Sequence, residues 1–468
     1  MKNIVIAKLT KPYKIATSES GGMAIAVWEL TAAVALIIVA KFFIPLFLEK
    51  KIYTMPQFLE ERFDRRVSLT LSLFWLTLYI FINLTTVLWL GSLAINTLTG
   101  LSLINGLILL ALLSLAYSLS GGLKAVAMTD IVQVILLIFG GLAVSYIALN
   151  TISDDAGVLS GLTIVYQELS EKFDMILSPE NPSYENLPGI WILLGAGVWI
   201  GHISYWGFSQ YITQRALAAK SVNEAQKGVM FAAYLKLLMP FVIVLPGICA
   251  AMLFADIEKS DQAYPTMMSL LPNGLLGLTF AALIAAIVSS LASMTNSIST
   301  IFTMDIYRKF SRNNISESKL ISIGRNTVIF SLLIAVIVAK PLLGSVESIF
   351  QHIQNFTGYF TPGIVVIFLV ALFWNKATTL STLVAAISSL ILSIVLSFVY
   401  PELPFIHRMS IVFFISGFAC YMTSLIQGYQ IQPKAIDLKG IDFRTSKSFN
   451  INTFVIVFIL VLIYITLG

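Results

Sequence analysis

The residues best placed to hold a cation fall in one stretch, Ala285 to Thr300. It contains Ser289, Ser290, Ser293, Ser297 and Ser299, with Thr295, Asn296 and Thr300 among small apolar residues. It lies inside an apolar run of about 274–304, long enough to cross a bilayer. Ser289, Ser293 and Ser297 recur every four residues and so share one helical face. Two readings stand at this point. Small hydroxylated residues let helices pack closely in lipid. A dense cluster also offers hydroxyl and carbonyl oxygens to a hard ion such as Na⁺.

Ionisable residues inside apolar spans cost roughly 2.5–3.5 kcal/mol on insertion scales, so each requires a partner or a function. Glu29 lies early in the first span, Asp130 opens another and Lys236 is mid-span. Glu29 and Lys236 suit either a structural ion pair or a polar-solute site. Asp130 suits either a helix N-terminal charge or a cation relay. Lys41 and Asp305 sit nearer span ends, where interfacial placement accounts for them. Asn83, Gln351, Gln354, His202, Ser204 and Gln210 add uncharged polarity, and Tyr205-Trp206 precedes Gly207. Amides, a carboxylate and an ammonium beside aromatic rings suit a sugar, with many hydroxyls to bond and an apolar ring face to stack. Trp75 and Trp89 are expected to be core or interfacial anchors.

These groups need helices crossing a membrane to position them. Of 468 residues, 57% are hydrophobic and 11% charged, about half the usual charged share. With a mean hydropathy of +0.88, the composition indicates an all-α polytopic membrane protein. The net charge of +5 comes from basic residues dispersed among loops, which does not indicate nucleic-acid binding. Cys249 and Cys420 lie far apart in apolar spans, and His202, His352 and His407 form no ligand-spaced cluster. No nucleophile–base pair or metal motif is visible, so an enzyme is not expected and no cofactor is implied.

Twelve spans are expected, near 22–47, 69–96, 101–120, 126–150, 188–211, 227–254, 274–304, 326–343, 346–373, 378–399, 408–427 and 451–467. Alternate loops hold nineteen Lys and Arg; the others hold Lys172, Lys259, Lys340 and Arg408. The Lys/Arg-rich side is therefore read as cytoplasmic. The segment 151–187 is acidic and external, and no signal peptide is expected. The organisation expected is a polar tail (1–21), a transporter core (22–373) and accessory C-terminal helices (374–468). In this orientation the tail, with Lys2, Lys8, Lys11 and Lys14, starts outside, which is a poor place for four positive charges.

Four runs resemble the sodium:solute symporter family, in its bacterial sodium/galactose (glucose) branch. They are Ile52-Tyr53-Thr54-Met55-Pro56-Gln57-Phe58-Leu59-Glu60-Glu61-Arg62-Phe63, Gly121-Gly122-Leu123-Lys124-Ala125-Val126 with Thr129-Asp130, Tyr205-Trp206-Gly207-Phe208 through Gln214-Arg215, and the serine stretch running into Phe302-Thr303-Met304-Asp305-Ile306-Tyr307. The resemblance implies a five-plus-five inverted repeat with solute and Na⁺ near the midplane. By position it implies sugar contacts at Glu29, Lys236 and Gln354, with Asn83 near the site. It implies an inner gate at Tyr205 and outer-gate positions at Trp28 and Phe350. A sodium site would use the Ala286 carbonyl with the Ser289 and Ser290 hydroxyls, and Asp130 would lie on the ion's exit route. Ala32 and His202 replace a serine and an asparagine of the galactose carrier. Against that pattern the extra N-terminal helix and the first core helix are expected to be missing from this sequence.

The expectation is sodium-coupled symport of a sugar or related polyhydroxylated solute, by alternating access, in a bacterial plasma (inner) membrane. The partners are the solute, Na⁺ and the lipid bilayer. The rival expectations are a truncated member that binds or senses without transporting, and proton coupling through Glu29 or His202.

Overall fold

The computed structural model describes residues 21–52, 54–120, 123–254, 257, 259–311, 315–346 and 348–468, and for 120 and 123–128 the backbone alone. The tail expected over 1–21, apart from Gly21, and the Gly121-Gly122 pair fall outside the described residues. Among the described residues every regular element is helical. In chain order the elements are α1 (Gly22–Glu49), α2 (Met55–Arg62), α3 (Arg65–Thr99), α4 (Leu103–Ser120), α5 (Leu123–Ile152) and α6 (Val158–Glu168). There follow α7 (Ala196–His202), α8 (Gln210–Leu217), α9 (Val222–Leu253), α10 (Asn273–Phe310), α11 (Glu317–Leu343) and α12 (Ile349–Phe373). The last are α13 (Thr379–Val399), α14 (Phe405–Ile426) and α15 (Lys447–Leu467).

Among the described residues ten helices are long and apolar enough to cross a membrane, against twelve expected spans. The two remaining spans differ for physical reasons. α4 has 18 residues, about 27 Å at ~1.5 Å per residue, just short of a ~30 Å hydrocarbon core. The span expected at 188–211 is discontinuous. Gly195 and Ser209 are both extended, so α7 and α8 are separate pieces joined through a π-helical segment, Ile203–Phe208. The acidic segment 151–187 is partly ordered too, holding α6 and a short turn at Ser170–Lys172.

Four other helices contain π-helical segments, at Val39–Phe43, Leu78–Leu84, Pro240–Val244 and Ile301–Tyr307. A π turn widens the helix by one residue and re-aims its side chains, which is why such turns collect at functional sites. Pro240 explains one of them, since proline supplies no backbone N–H. The segment Leu78–Leu84 has neither Pro nor Gly.

Phe43, Phe208, Phe368 and Phe58 form a continuous stack, with ring centroids 5.2, 4.4 and 6.1 Å apart. It ties α1 and the π segment after α7 to α12 and α2. Both ends of α12 are held by distant residues. At its start the Asp261 carboxylate accepts from the Ile349 N–H at 3.0 Å. Burial pushes the Asp261 carboxyl above its ordinary range, and that hydrogen bond opposes the shift. At its other end Arg62, buried on α2, donates to the carbonyls of Ala371, Trp374 and Ala377 at 3.2, 3.0 and 3.3 Å. Ala371 belongs to the last turn of α12, whose carbonyls lack partners within the helix, while Trp374 and Ala377 lie in the turn that follows.

Candidate functional site

A cavity of about 310 Å³ lies among α1, α3, the π segment after α7, α9, α12 and α14. That is within the range of small-molecule sites. Its lining includes Trp28, Glu29, Asn83, His202, Ser204, Tyr205, Lys236, Phe350 and Gln354, whereas Gln210 and Gln351, also singled out in the sequence for their polarity, lie outside it. Ala32, one of the two departures from the galactose carrier, borders it as well.

Local helix geometry explains the convergence. Tyr79 and Asn83 belong to one π segment and Ser204, Tyr205 and Trp206 to another, so both interruptions face the cavity. Glu29 follows the 3-10 turn Gly22–Ala26 in the first turn of regular helix, and Lys236 precedes Pro240 by one turn. The Lys236 ammonium donates to Glu29 Oε2 at 2.5 Å and stands 5.0 Å from the centre of the Trp206 ring. Both charged side chains keep part of their surface open, 21% and 30%, so each retains capacity for a further polar partner. The ion pair anticipated for these two residues is present. It is also a wall of the cavity.

His202 is buried, and its Nε2 lies 2.8 Å from the Thr31 hydroxyl. That hydroxyl gives its single proton to the Val27 carbonyl at 2.5 Å, so the imidazole Nε2–H is the donor. Trp28 packs edge-on to His202 and to Phe350, with centroids 5.8 and 6.2 Å away. Two of the three gate residues therefore touch. Tyr205, 41% exposed, packs instead on Trp206 and Tyr211.

Sequence reasoning missed a second polar group. The Tyr79 hydroxyl sits 3.0 Å from Ser209 Oγ and accepts from the Gln210 N–H at 3.0 Å, satisfying backbone freed where the helix breaks. Asn83 donates to the Tyr211 hydroxyl at 3.4 Å, while its own Oδ1 is buried with no partner in the structure. The break falls at Ser209, two residues after the Gly207 that the sequence showed beside Tyr205-Trp206. Trp75 is a core residue, as expected. It is buried on Phe368 and Tyr79, yet its ring also borders the cavity.

Ala286, Ser289, Ser290 and Asp130 lie outside that lining and form a separate group on α10 and α5. Ser289, Ser293 and Ser297 are all buried, as their spacing predicts. Ser289 donates to Asp130 Oδ1. Arg215, on α8, pairs with Asp130 Oδ2 at 3.0 Å and donates to Ser293 Oγ at 3.0 Å. Ala286 is half-buried and Ser290 exposed, about 100° around the helix from Ser289. Asp305 is corrected outright. Rather than interfacial, it is buried and held by Lys309 at 3.2 Å, which also binds Glu60.

An all-helical membrane fold with discontinuous helices around a central cavity fits one class of fold, the inverted-repeat transporters. The fold matches a substrate-bound, outward-open Na⁺-coupled sialic acid symporter with TM-score 0.73 at 24% identity, over 88% of this chain and 86% of the other. It also matches the nucleobase-cation-symport-1 transporter Mhp1 with TM-score 0.55 at 14% identity, over 96% and 94%. A profile of the sodium:solute symporter family matches residues 15–389. The sodium/glucose cotransporter of Vibrio parahaemolyticus is 42% identical over 99% of this chain and 89% of its own length. The sodium/myo-inositol cotransporter of Bos taurus is 32% identical over 85% of this chain and 61% of its own. The chain belongs to the sodium:solute symporter family. It is a multi-pass membrane transport protein, not an enzyme.

Proposed function

We propose that the chain carries a sugar or related polyhydroxylated solute across a bacterial plasma membrane, driven by the sodium gradient, with alternating access to the cavity. The observation that carries the reading is the Lys236–Glu29 pair, partly open and set against the Trp206 ring in the cavity wall. An ammonium and a carboxylate can donate to and accept from several hydroxyls at once, while Trp28, Tyr205 and Trp206 offer faces to the apolar side of a pyranose or cyclitol. Asn83, His202 and Gln354 extend the polar contacts. Trp28 with Phe350 closes the outer side, and Tyr205 the inner. The glucose and myo-inositol cotransporters among the relatives support this solute class, and the Vibrio relative supports the bacterial setting.

Sodium is cargo and coupling ion, and no cofactor is invoked. The Ala286 carbonyl and the Ser289 and Ser290 hydroxyls would contribute to its site, since an oxygen that donates its proton still has lone pairs for a cation. Asp130 would receive the ion on its way out. Coupling follows if Na⁺ and solute both favour the outward-facing state that is ready to close. The test is uptake of labelled hexoses and cyclitols into proteoliposomes, with and without an inward Na⁺ gradient. Gradient-dependent uptake is expected. Uptake that follows pH and ignores sodium would replace Na⁺ by H⁺, and binding without uptake would leave a sensing role.

A further inference from the structure

The solute and gate positions discussed so far lie on helices from α1 to α12. The cavity, however, is also lined by Phe405 and Met409 of α14, an accessory helix beyond that core. These residues are four apart and so share one helical face. The Phe405 ring lies parallel to the Trp28 ring, with centroids 6.1 Å apart and planes 6° from parallel. The ring assigned to the outer gate is thus backed by the accessory helix.

Close packing fixes α14 in this position. A Cβ at Gly197 would stand 2.2 Å from the Ile406 carbonyl oxygen, and one at Gly358 would stand 3.2 Å from Met409. Both glycines act as notches that let α14 seat against α7 and α12. Arg408, also buried, donates to Asn355 Oδ1 and lies 4.8 Å from the centre of the Tyr359 ring. A buried guanidinium needs such partners, so it fixes the rotation of α14 on α12.

We infer that α14 supplies an apolar wall of the solute cavity, with Met409 limiting the size of the solute and Phe405 supporting the outer gate. Methionine is flexible and polarisable, suited to lie along a ring face without demanding hydrogen bonds. The inference rests on the reading of this cavity as the solute site.

Two measurements test it. The first is Na⁺-driven uptake of a labelled hexose by Met409→Ala and Met409→Trp, with a methyl hexoside and a disaccharide as competitors. Met409→Ala should reduce discrimination against the methyl hexoside about tenfold, the scale for a methylene-sized change in a pocket. Met409→Trp should lower hexose uptake at least tenfold while leaving sodium half-saturation unchanged. Opposite shifts in size preference cannot come from general misfolding. Phe418→Ala, on a 63% exposed lipid-facing residue of the same helix, serves as the control with wild-type uptake. Wild-type selectivity in both Met409 variants overturns the inference.

The second measurement needs no transported solute. In a Cys249→Ala/Cys420→Ala background, Met409→Cys and Phe418→Cys are exposed to a charged methanethiosulfonate. Only a hydrated thiol ionises and reacts, so position 409 should label at least tenfold faster than position 418. Equal labelling overturns the wall. If the wild type carries no hexose or cyclitol, the sugar reading fails, and this labelling alone decides whether α14 faces the cavity.

Discussion

The cavity wall and the serine face of α10 are both polar surfaces buried in a membrane protein, yet they are built in different ways. Around the cavity, part of the polar lining sits where helices are interrupted, with Tyr79 and Asn83 in one π segment, Ser204 and Tyr205 in another and Ser209 at a break, while Glu29, His202, Lys236 and Gln354 stand on regular helix. Their groups converge on space that a ligand can fill. On α10, Ser289, Ser293 and Ser297 lie in an unbroken helix of 28 residues, and the first two bond to Asp130 and Arg215. The interruptions contribute Tyr79, Asn83, Ser204 and Tyr205 to the cavity, whereas two of the three α10 hydroxyls are taken up by side chains of neighbouring helices. This agrees with the rule that non-helical backbone at membrane depth occurs where it lines a cavity.

Four substitutions can break or sharpen that contrast. Lys236→Ala should reduce sodium-driven uptake to background while leaving the amount of inserted protein unchanged, measured side by side in proteoliposomes. Retained uptake would remove Lys236 from the solute wall. Tyr79→Phe should cost about 2 kcal/mol, because the buried Gln210 N–H loses its acceptor at the break. A lowered midpoint of thermal unfolding in detergent would register it. Ser289→Ala should raise the sodium concentration for half-maximal uptake by about tenfold, as expected for losing a polar contact of about 1.5 kcal/mol to a charged group. Unchanged sodium dependence would make Ser289 a packing residue. Ser297→Ala should be nearly silent, within about 0.5 kcal/mol, since its hydroxyl is buried without a partner in the structure.

The helices were legible because hydropathy marks a membrane span directly, and among the described residues eleven of twelve expected spans are single apolar helices, ten of them long enough to cross a membrane. The charged cavity pair was legible as well, since Glu29 and Lys236 are conspicuous among apolar neighbours. What sequence could not show was where helices stop being regular. Leu78–Leu84 lacks the Gly and Pro that announce irregularity, and at Ser209, two residues after Gly207, a tertiary contact from the Tyr79 hydroxyl takes up the freed backbone group. Asp305 was misread for a related reason. Its position near a span end suggested the interface, whereas Lys309 and Glu60, from different elements, make a buried site for it. Phe405 and Met409 had no signal, being ordinary apolar residues on an apolar helix.

The Arg62 cap carries a consequence for synthesis. Its carbonyl partners lie 309 to 315 residues further along the chain. At translation rates of about 5–20 residues per second, the guanidinium is made roughly 15–60 s before the helix end it completes. Burial lowers its pKa to about 10, so it remains charged at neutral pH in its final place. Until then it lies on the Lys/Arg-rich side, where lipid headgroups and water can hold a cation at little cost. Docking of α12 onto α2 is therefore a late event in assembly. A nascent chain halted before Ala371 would carry Arg62 accessible to water, and the finished protein does not.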